Sequence, residues 1–365
     1  MSGMTEVLDR AAVVVCCGSG GVGKTTTAAA IGFHAAARGR RVVVVTIDPA
    51  RRLADALGLP GGLTGEPQRV PASDGSGELW AMMLDAPAMF ERVVRANATD
   101  AEQADRIVAN RFYRNMATAL SGTQEYMATE ALHELDADDR FDLVVVDTPP
   151  SRNALDFLEA PGVLTRFLDH KVFKLMMMPT RTGLKVLTAA TQPVLKLIGR
   201  VVGSDVLADS VAFFQAFAGM EAGFRERADA VAGLLRSPGT QFVLVTAPQR
   251  DALTEAAWFR SQLSDRGFEV AATVVNRTHP VFAEGTVRDA AERAEKALAA
   301  GDEAQAATWR NLAEMRAVAA SEQEAVADRL GARAGHGDTV VSVPLLPHDV
   351  HDAEALQALA HHLFA

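Results

Sequence analysis

The segment AVVVCCGSGGVGKTTTAAAIGFHAAARG, residues 12–39, constrains the fold more than any other part of the chain. Six apolar residues predict a buried strand, a glycine-rich turn follows at once, and an alanine-rich helix runs to the stop signal Arg38-Gly39. Gly18, Gly23, Lys24 and Thr25 satisfy G-x-x-x-x-G-K-[ST], the spacing at which backbone N–H groups and a helix N-terminus converge on phosphate oxygens. In such a loop the backbone of Gly20, Gly21, Val22, Gly23, Lys24, Thr25 and Thr26 surrounds the phosphates. Lys24 reaches the β- and γ-phosphates and steadies the group being transferred, while the Thr25 hydroxyl binds Mg²⁺.

Five further short apolar runs read as strands: 41–47, 141–147, 241–246, 270–276 and 339–343. They are continuously apolar, as strands of a parallel sheet covered on both faces must be. The expected fold is α/β, a three-layer αβα arrangement with a mostly parallel twisted sheet. Stretches of about 86–138, 158–236 and 283–335 lack strand signals and predict helical insertions that form a helical subdomain, all within one domain spanning 1–365. PASDGSGE at 71–78 reads as an exposed turn or loop.

Two aspartates follow strands on this reading. Asp147 ends FDLVVVD and precedes a proline turn, the position of a carboxylate that holds Mg²⁺ through water, with 148–153 as a loop sensitive to the γ-phosphate. Asp48 follows VVVVTI directly. Its position suits orienting or deprotonating an attacking water, and equally suits a plain Asp-Pro turn.

Composition excludes several functions. A formal charge of -10 argues against a general nucleic-acid binder. The acidic start of the chain is unlike an export signal, and no long apolar stretch is free of charge, so no stable membrane insertion and a cytoplasmic location are expected. Residues 341–365 contain no Lys or Arg, which an interfacial anchor helix would need. Cys16 and Cys17, the only cysteines, point to opposite faces of one strand and read as packing residues, not as a disulfide, zinc or iron–sulfur site. Residues 166–200 stand out: seven basic residues against one acid, interleaved with Met176, Met177, Met178 and leucines. Such a stretch fits an anionic membrane surface, an amphipathic client helix or simply helical core, and all three readings stay open. Phe213, Phe214, Phe217, Met220 and Phe224, at helical spacing, read as core or dimer interface.

GSGGVGKTTT, TIDPARRLADALG, VVVDTPPSRNALDFL, VVNRTHP and VPLLPHDV occur in this order, and with them the chain resembles the ArsA/Get-type ATPases over its full length, especially the ArsA-like ATPases of actinobacteria. The resemblance implies a P-loop NTPase of the SIMIBI type that hydrolyses ATP with Mg²⁺ and couples opening and closing of a dimer to a membrane-protein or other hydrophobic client. It implies that Asp48 activates water, Asp147 begins switch II, Asn276 hydrogen-bonds adenine, and Pro344–Val350, with Pro347, forms the adenine-side loop.

Two departures qualify that picture. Relatives carry a signature lysine after the first glycine, which contacts nucleotide across a dimer interface; here the position is Ser19. The resemblance then implies slow hydrolysis as a homodimer, a heterodimer with a paralogous ATPase that retains the lysine, or an ATP-gated regulatory subunit. Second, the thiols of arsenite pumps and of the zinc-bridged eukaryotic relatives are absent, which argues against an arsenical pump.

Overall fold

The valine-rich segments assemble into one eight-stranded sheet in a computed structural model that describes residues 3–71, 77–111, 113, 122–170, 204–282, 284–330 and 339–365. The strands are β1 Val13–Gly18, β2 Arg41–Thr46, β3 Gln68–Arg69, β4 Glu78–Met83, β5 Leu143–Asp147, β6 Thr240–Thr246, β7 Val270–Thr278 and β8 Thr339–Pro344. Their spatial order is β3-β4-β2-β5-β1-β6-β7-β8, and every pairing is parallel except that of β3 with β4. The strand that leads into the glycine loop therefore lies inside the sheet, between β5 and β6.

Alternation along β1 divides the core. Val14 and Cys16 join a cluster with α1 (Gly3–Arg10), α2 (Lys24–Ala37) and the C-terminal helix, whereas Val13, Val15 and Cys17 join a cluster on the opposite face. Cys16 and Cys17 are both buried and free, as expected of packing residues. Burial raises both thiols, Cys17 to about 12, so neither is a ready nucleophile.

In chain order the remaining helices are α3 (Arg52–Ala56), α4 (Ala86–Asn97), α5 (Ala101–Ala109), α6 (Thr123–Asp136), α7 (Ser151–Asp169), α8 (Ser204–Phe217), α9 (Glu221–Leu235), α10 (Arg250–Asp265), α11 (Val287–Ala299), α12 (Glu303–Leu330) and α13 (Ala353–Phe364). Helices α6, α7, α9 and α10 cover one sheet face with Leu132, Phe157, Val231 and Phe259. Beyond them, α4 to α9 build a third cluster in which Phe213, Phe214, Phe217, Met220 and Phe224 are buried, so this aromatic stripe is core.

The described residues of 86–138, 158–236 and 283–335 are mostly helical, and the helix that enters the second range begins at Ser151. The two ends of the sheet differ from expectation, and the short β3 is one of the additions. ELWAMM is the strand β4, which lacks the valines that mark the other strands, and it buries Leu79 and Ala81 beside β2. At the other end β8 is an edge strand, so its exposure alternates and Val340 faces outward. Residues 171–203, with Met176, Met177 and Met178, lie outside the described residues.

Candidate functional site

Parallel registry brings the ends of three strands to one point. Cys16 of β1 and Thr46 of β2 both pair with Asp147 of β5, so the glycine loop, the residues before Asp48 and the DTPP turn emerge side by side at the carboxyl edge of the sheet. Ligands of open α/β sheets bind at this edge. The turn is fastened to β1: the Thr148 hydroxyl donates to the Cys16 carbonyl at 2.8 Å.

Glycine is needed at two loop positions. At Gly18, φ is 146° and a Cβ would strike the Val245 carbonyl of β6. At Gly23, the N-cap of α2, φ is 98° and a Cβ would strike the Asn276 amide. That same amide donates to the Val22 carbonyl at 2.9 Å. Asn276, far away in sequence, thus buttresses the turn from which α2 starts.

The charged centre is buried. Lys24 is 7% exposed, and its ammonium donates to the Ser19 carbonyl at 2.8 Å. Burial lowers the Lys24 pKa, with Asp147 as the strongest opposing charge. Asp147 is 1% exposed, and its Oδ2 accepts hydrogen bonds from the Thr25 hydroxyl at 2.7 Å and the Thr46 hydroxyl at 2.9 Å. Its other oxygen, Oδ1, is buried with no hydrogen-bond partner among the described residues. Burial raises the Asp147 pKa against the two hydroxyls and Lys24. A buried carboxylate with an unused oxygen, beside a hydroxyl at a helix N-terminus, is a donor set that suits a hard, hydrated cation such as Mg²⁺.

The remaining expected residues occupy the surrounding edge. Asp48 makes the turn that its sequence allows: Oδ1 accepts from the Ala50 N–H at 3.0 Å, and Oδ2 lies 3.7 Å from Arg52. Its charge also acts on both Lys24 and Asp147, so it belongs to the same electrostatic centre. The turn and the water-orienting readings are compatible in one residue. Among the described residues, Gly20 and Gly21 leave the outer side of the loop open, Gly20 with only Pro150 of the DTPP turn near its Cβ position. Pro347 lies in an exposed bend beyond β8, whose Val343 pairs with Asn276.

Three residues have no single-residue signal in the sequence. Thr46 is an ordinary strand residue until the registry places it on Asp147. Gln124 at the start of α6 donates to the Ile47 carbonyl at 3.1 Å. Arg277, with φ of 61°, donates to the Gly21 carbonyl at 3.2 Å.

A central parallel strand, a left-handed glycine at the start of the next helix, and a lysine, threonine and aspartate in one buried cluster define a P-loop nucleotide-binding protein. Residues 11–303 match the profile of the anion-transporting ATPases, and the chain belongs to that family. It is 35% identical over 148 residues to Protein Rv2184c of Mycobacterium tuberculosis, covering 37% of this chain and 34% of that protein. It is 28% identical over 248 residues to ATPase GET3 of Rhodotorula glutinis, covering 68% of this chain and 64% of the relative. With ATPase GET3 of Malassezia globosa it shares 29% identity over 127 residues, 35% of each chain. The matched regions thus span from about a third to just under two thirds of these relatives.

Proposed function

We propose that the protein binds ATP with Mg²⁺ and hydrolyses it, and that the observation carrying this reading is the Thr25–Asp147–Thr46 cluster with its unused Asp147 Oδ1 beside Lys24. The loop N–H groups from Gly20 to Thr26 hold the phosphates, and Lys24 leaves the neutral Ser19 carbonyl for a charged phosphate oxygen, a stronger partner. Thr25 directly, and Asp147 through water, would hold Mg²⁺, and the ion would supply neutralisation of the phosphate charge. Asp48 orients the attacking water and accepts its proton once Arg52 gives way. Asn276 and the Pro347 bend form the adenine side.

The same reading extends to a hydrophobic or membrane-protein client handled by a dimer of one cytoplasmic nucleotide-binding unit spanning 1–365. Its support is an apolar cavity of about 480 Å³ between α4, α6, α7 and α8, lined by Phe90, Tyr126, Leu164, Phe167, Phe213 and Phe217. Helix α7 begins at the DTPP turn and contributes Leu164 and Phe167, so one helix touches both the nucleotide edge and the cavity. Among the described residues no helix is long and apolar enough to cross a membrane.

A second reading, an ATP-gated subunit with weak hydrolysis, rests on Ser19 and on the Arg52 contact that occupies Asp48. Phosphate release measured for the purified protein, for Asp48→Asn, and for each mixed with a paralogue retaining the lysine separates the two. Hydrolysis by the protein alone that Asp48→Asn abolishes supports the ATPase. Turnover that appears only on mixing, or tight ATP binding without turnover, supports the gated subunit.

A further inference from the structure

Arg277 is the only non-glycine residue with a positive φ among the described residues. A left-handed conformation brings Cβ against the backbone in any residue but glycine, so an arginine there is held at a cost that glycine would not incur. Its location explains what the strain achieves. In a regular strand, consecutive side chains point to opposite faces. Between Asn276 and Thr278 the pairing of β7 with β8 shifts register, and this bulge turns two consecutive side chains toward one target. Asn276 reaches the Val22 carbonyl and Arg277 the Gly21 carbonyl, neighbouring groups of the glycine loop.

The Arg277 guanidinium is a poor match for that partner. It is exposed, spends one N–H on a neutral carbonyl, and makes no other hydrogen bond among the described residues. Guanidinium groups bind phosphate with paired, charge-assisted hydrogen bonds that a carbonyl cannot offer. No described residue lies within 4 Å of the Cβ position at Gly21, so among the described residues the loop beside the guanidinium is open to a ligand.

We propose that Arg277 is a nucleotide-binding residue, a second cation that moves from the Gly21 carbonyl to the polyphosphate when nucleotide binds. This inference rests on the nucleotide reading given above and supplies, from within the chain, a positive charge that Ser19 does not. The bulge is then a device for aiming that charge, and its strain persists because the aim requires it.

The test uses the full-length protein and its Arg277→Gly, Arg277→Gln and Arg277→Lys variants, with binding of fluorescent mant-ATP and mant-AMP in Mg²⁺ and thermal melting without nucleotide. Arg277→Gln should weaken mant-ATP about tenfold, the loss of one charge-assisted contact, while Arg277→Lys stays within about threefold of the parent. Mant-AMP binding should not change in any variant. Arg277→Gly should weaken mant-ATP as Arg277→Gln does yet melt at a higher temperature, because strain is relieved as function is lost. Parental mant-ATP affinity in Arg277→Gln would overturn the inference, as would parallel loss of melting temperature and affinity in Arg277→Gly, the signature of a structural strut. Failure of the parent itself to bind mant-ATP would overturn the nucleotide reading and this inference with it.

Discussion

The Gln124 side-chain amide donates to the Ile47 carbonyl across 3.1 Å, joining the first turn of α6 to the residue before Asp48. That turn also lines the apolar cavity through Gly122, Thr123, Tyr126 and Met127. A group that enters the cavity and displaces α6 would therefore pull on the loop that holds Asp48. Gln124→Ala should leave stability within about 1 kcal/mol, the scale of one hydrogen bond. On the proposed water-orienting role of Asp48, it should lower kcat for ATP hydrolysis several-fold with little change in KM, because Asp48 would be misplaced while the phosphate loop is untouched. Steady-state kinetics decide this. A raised KM with unchanged kcat would place Gln124 in nucleotide binding instead.

Asp147 gives a pH dependence with a definite sign. Its folded pKa is raised, mainly by burial, so the folded state holds this proton more tightly than the unfolded chain does. Stability of the ligand-free protein should fall as pH rises from the ordinary carboxylate range, about 4, through the raised folded value, and this contribution should level off above it. Asp147→Asn removes that fall and keeps an oxygen for Thr25 and Thr46. At pH 7 without ligand the stability gap between Asp147→Asn and the parent should therefore shift in favour of Asp147→Asn relative to the gap at pH 4. Mg²⁺ with ATP should raise the melting temperature of the parent and do so much less for Asp147→Asn. Denaturant titrations across this pH range, with and without ligand, test both halves.

Gly23 and Asn276 are coupled. Gly23→Ala forces a Cβ onto the Asn276 amide at a φ of 98°, so two costs add: backbone strain and collision. The expected loss is about 2–4 kcal/mol, with nucleotide binding abolished. In an Asn276→Ala background only the strain remains, so the same substitution should cost about 1–2 kcal/mol. A double-mutant cycle with no interaction energy would show that the amide does not form one side of the turn.

How much of this was legible in the sequence follows from range of interaction. The loop, its strand and its helix are local, and their residues carry their own signature, so Gly18, Gly23, Lys24 and Thr25 could be read directly. Asp147 was legible because a strand-end carboxylate before Pro149-Pro150 is also a local pattern. Thr46 was not, because its role exists only through registry between β2 and β5. Arg277 was hidden for a different reason: a bulge depends on how β7 and β8 pair, and nothing in VVNRT announces it. The β4 strand carries a weak local signal because Glu78 and Ala81 are residues depleted in strands and no valine or isoleucine marks it, while parallel pairing with β2 overrides that weak propensity.

The helical layer should be most sensitive at one ion pair. Glu130 of α6 is fully buried and accepts hydrogen bonds from the Tyr126 hydroxyl and from Arg227 Nε of α9, the latter at 2.7 Å. Arg227 also reaches Glu134 at 3.2 Å, which ties α9 to two successive turns of α6. Arg227→Ala strands the Glu130 charge and should cost about 3–5 kcal/mol. Glu130→Gln removes the buried charge, keeps one oxygen to accept from Arg227 and turns its NH2 to donate to the Tyr126 oxygen, so it should cost clearly less. Arg106→Ala serves as the contrast, since its partner Glu102 is exposed one turn away on α5 and exposed pairs contribute only about 0–1 kcal/mol. Because α6 carries both Gln124 and part of the cavity wall, Arg227→Ala should also slow hydrolysis beyond its effect on stability. Chemical denaturation ranks the three variants, and kcat measured well below each melting transition separates the two effects. Equal costs for Arg227→Ala and Arg106→Ala would mean that Glu130 finds water or another partner, and that α6 is not anchored where its buried charge lies.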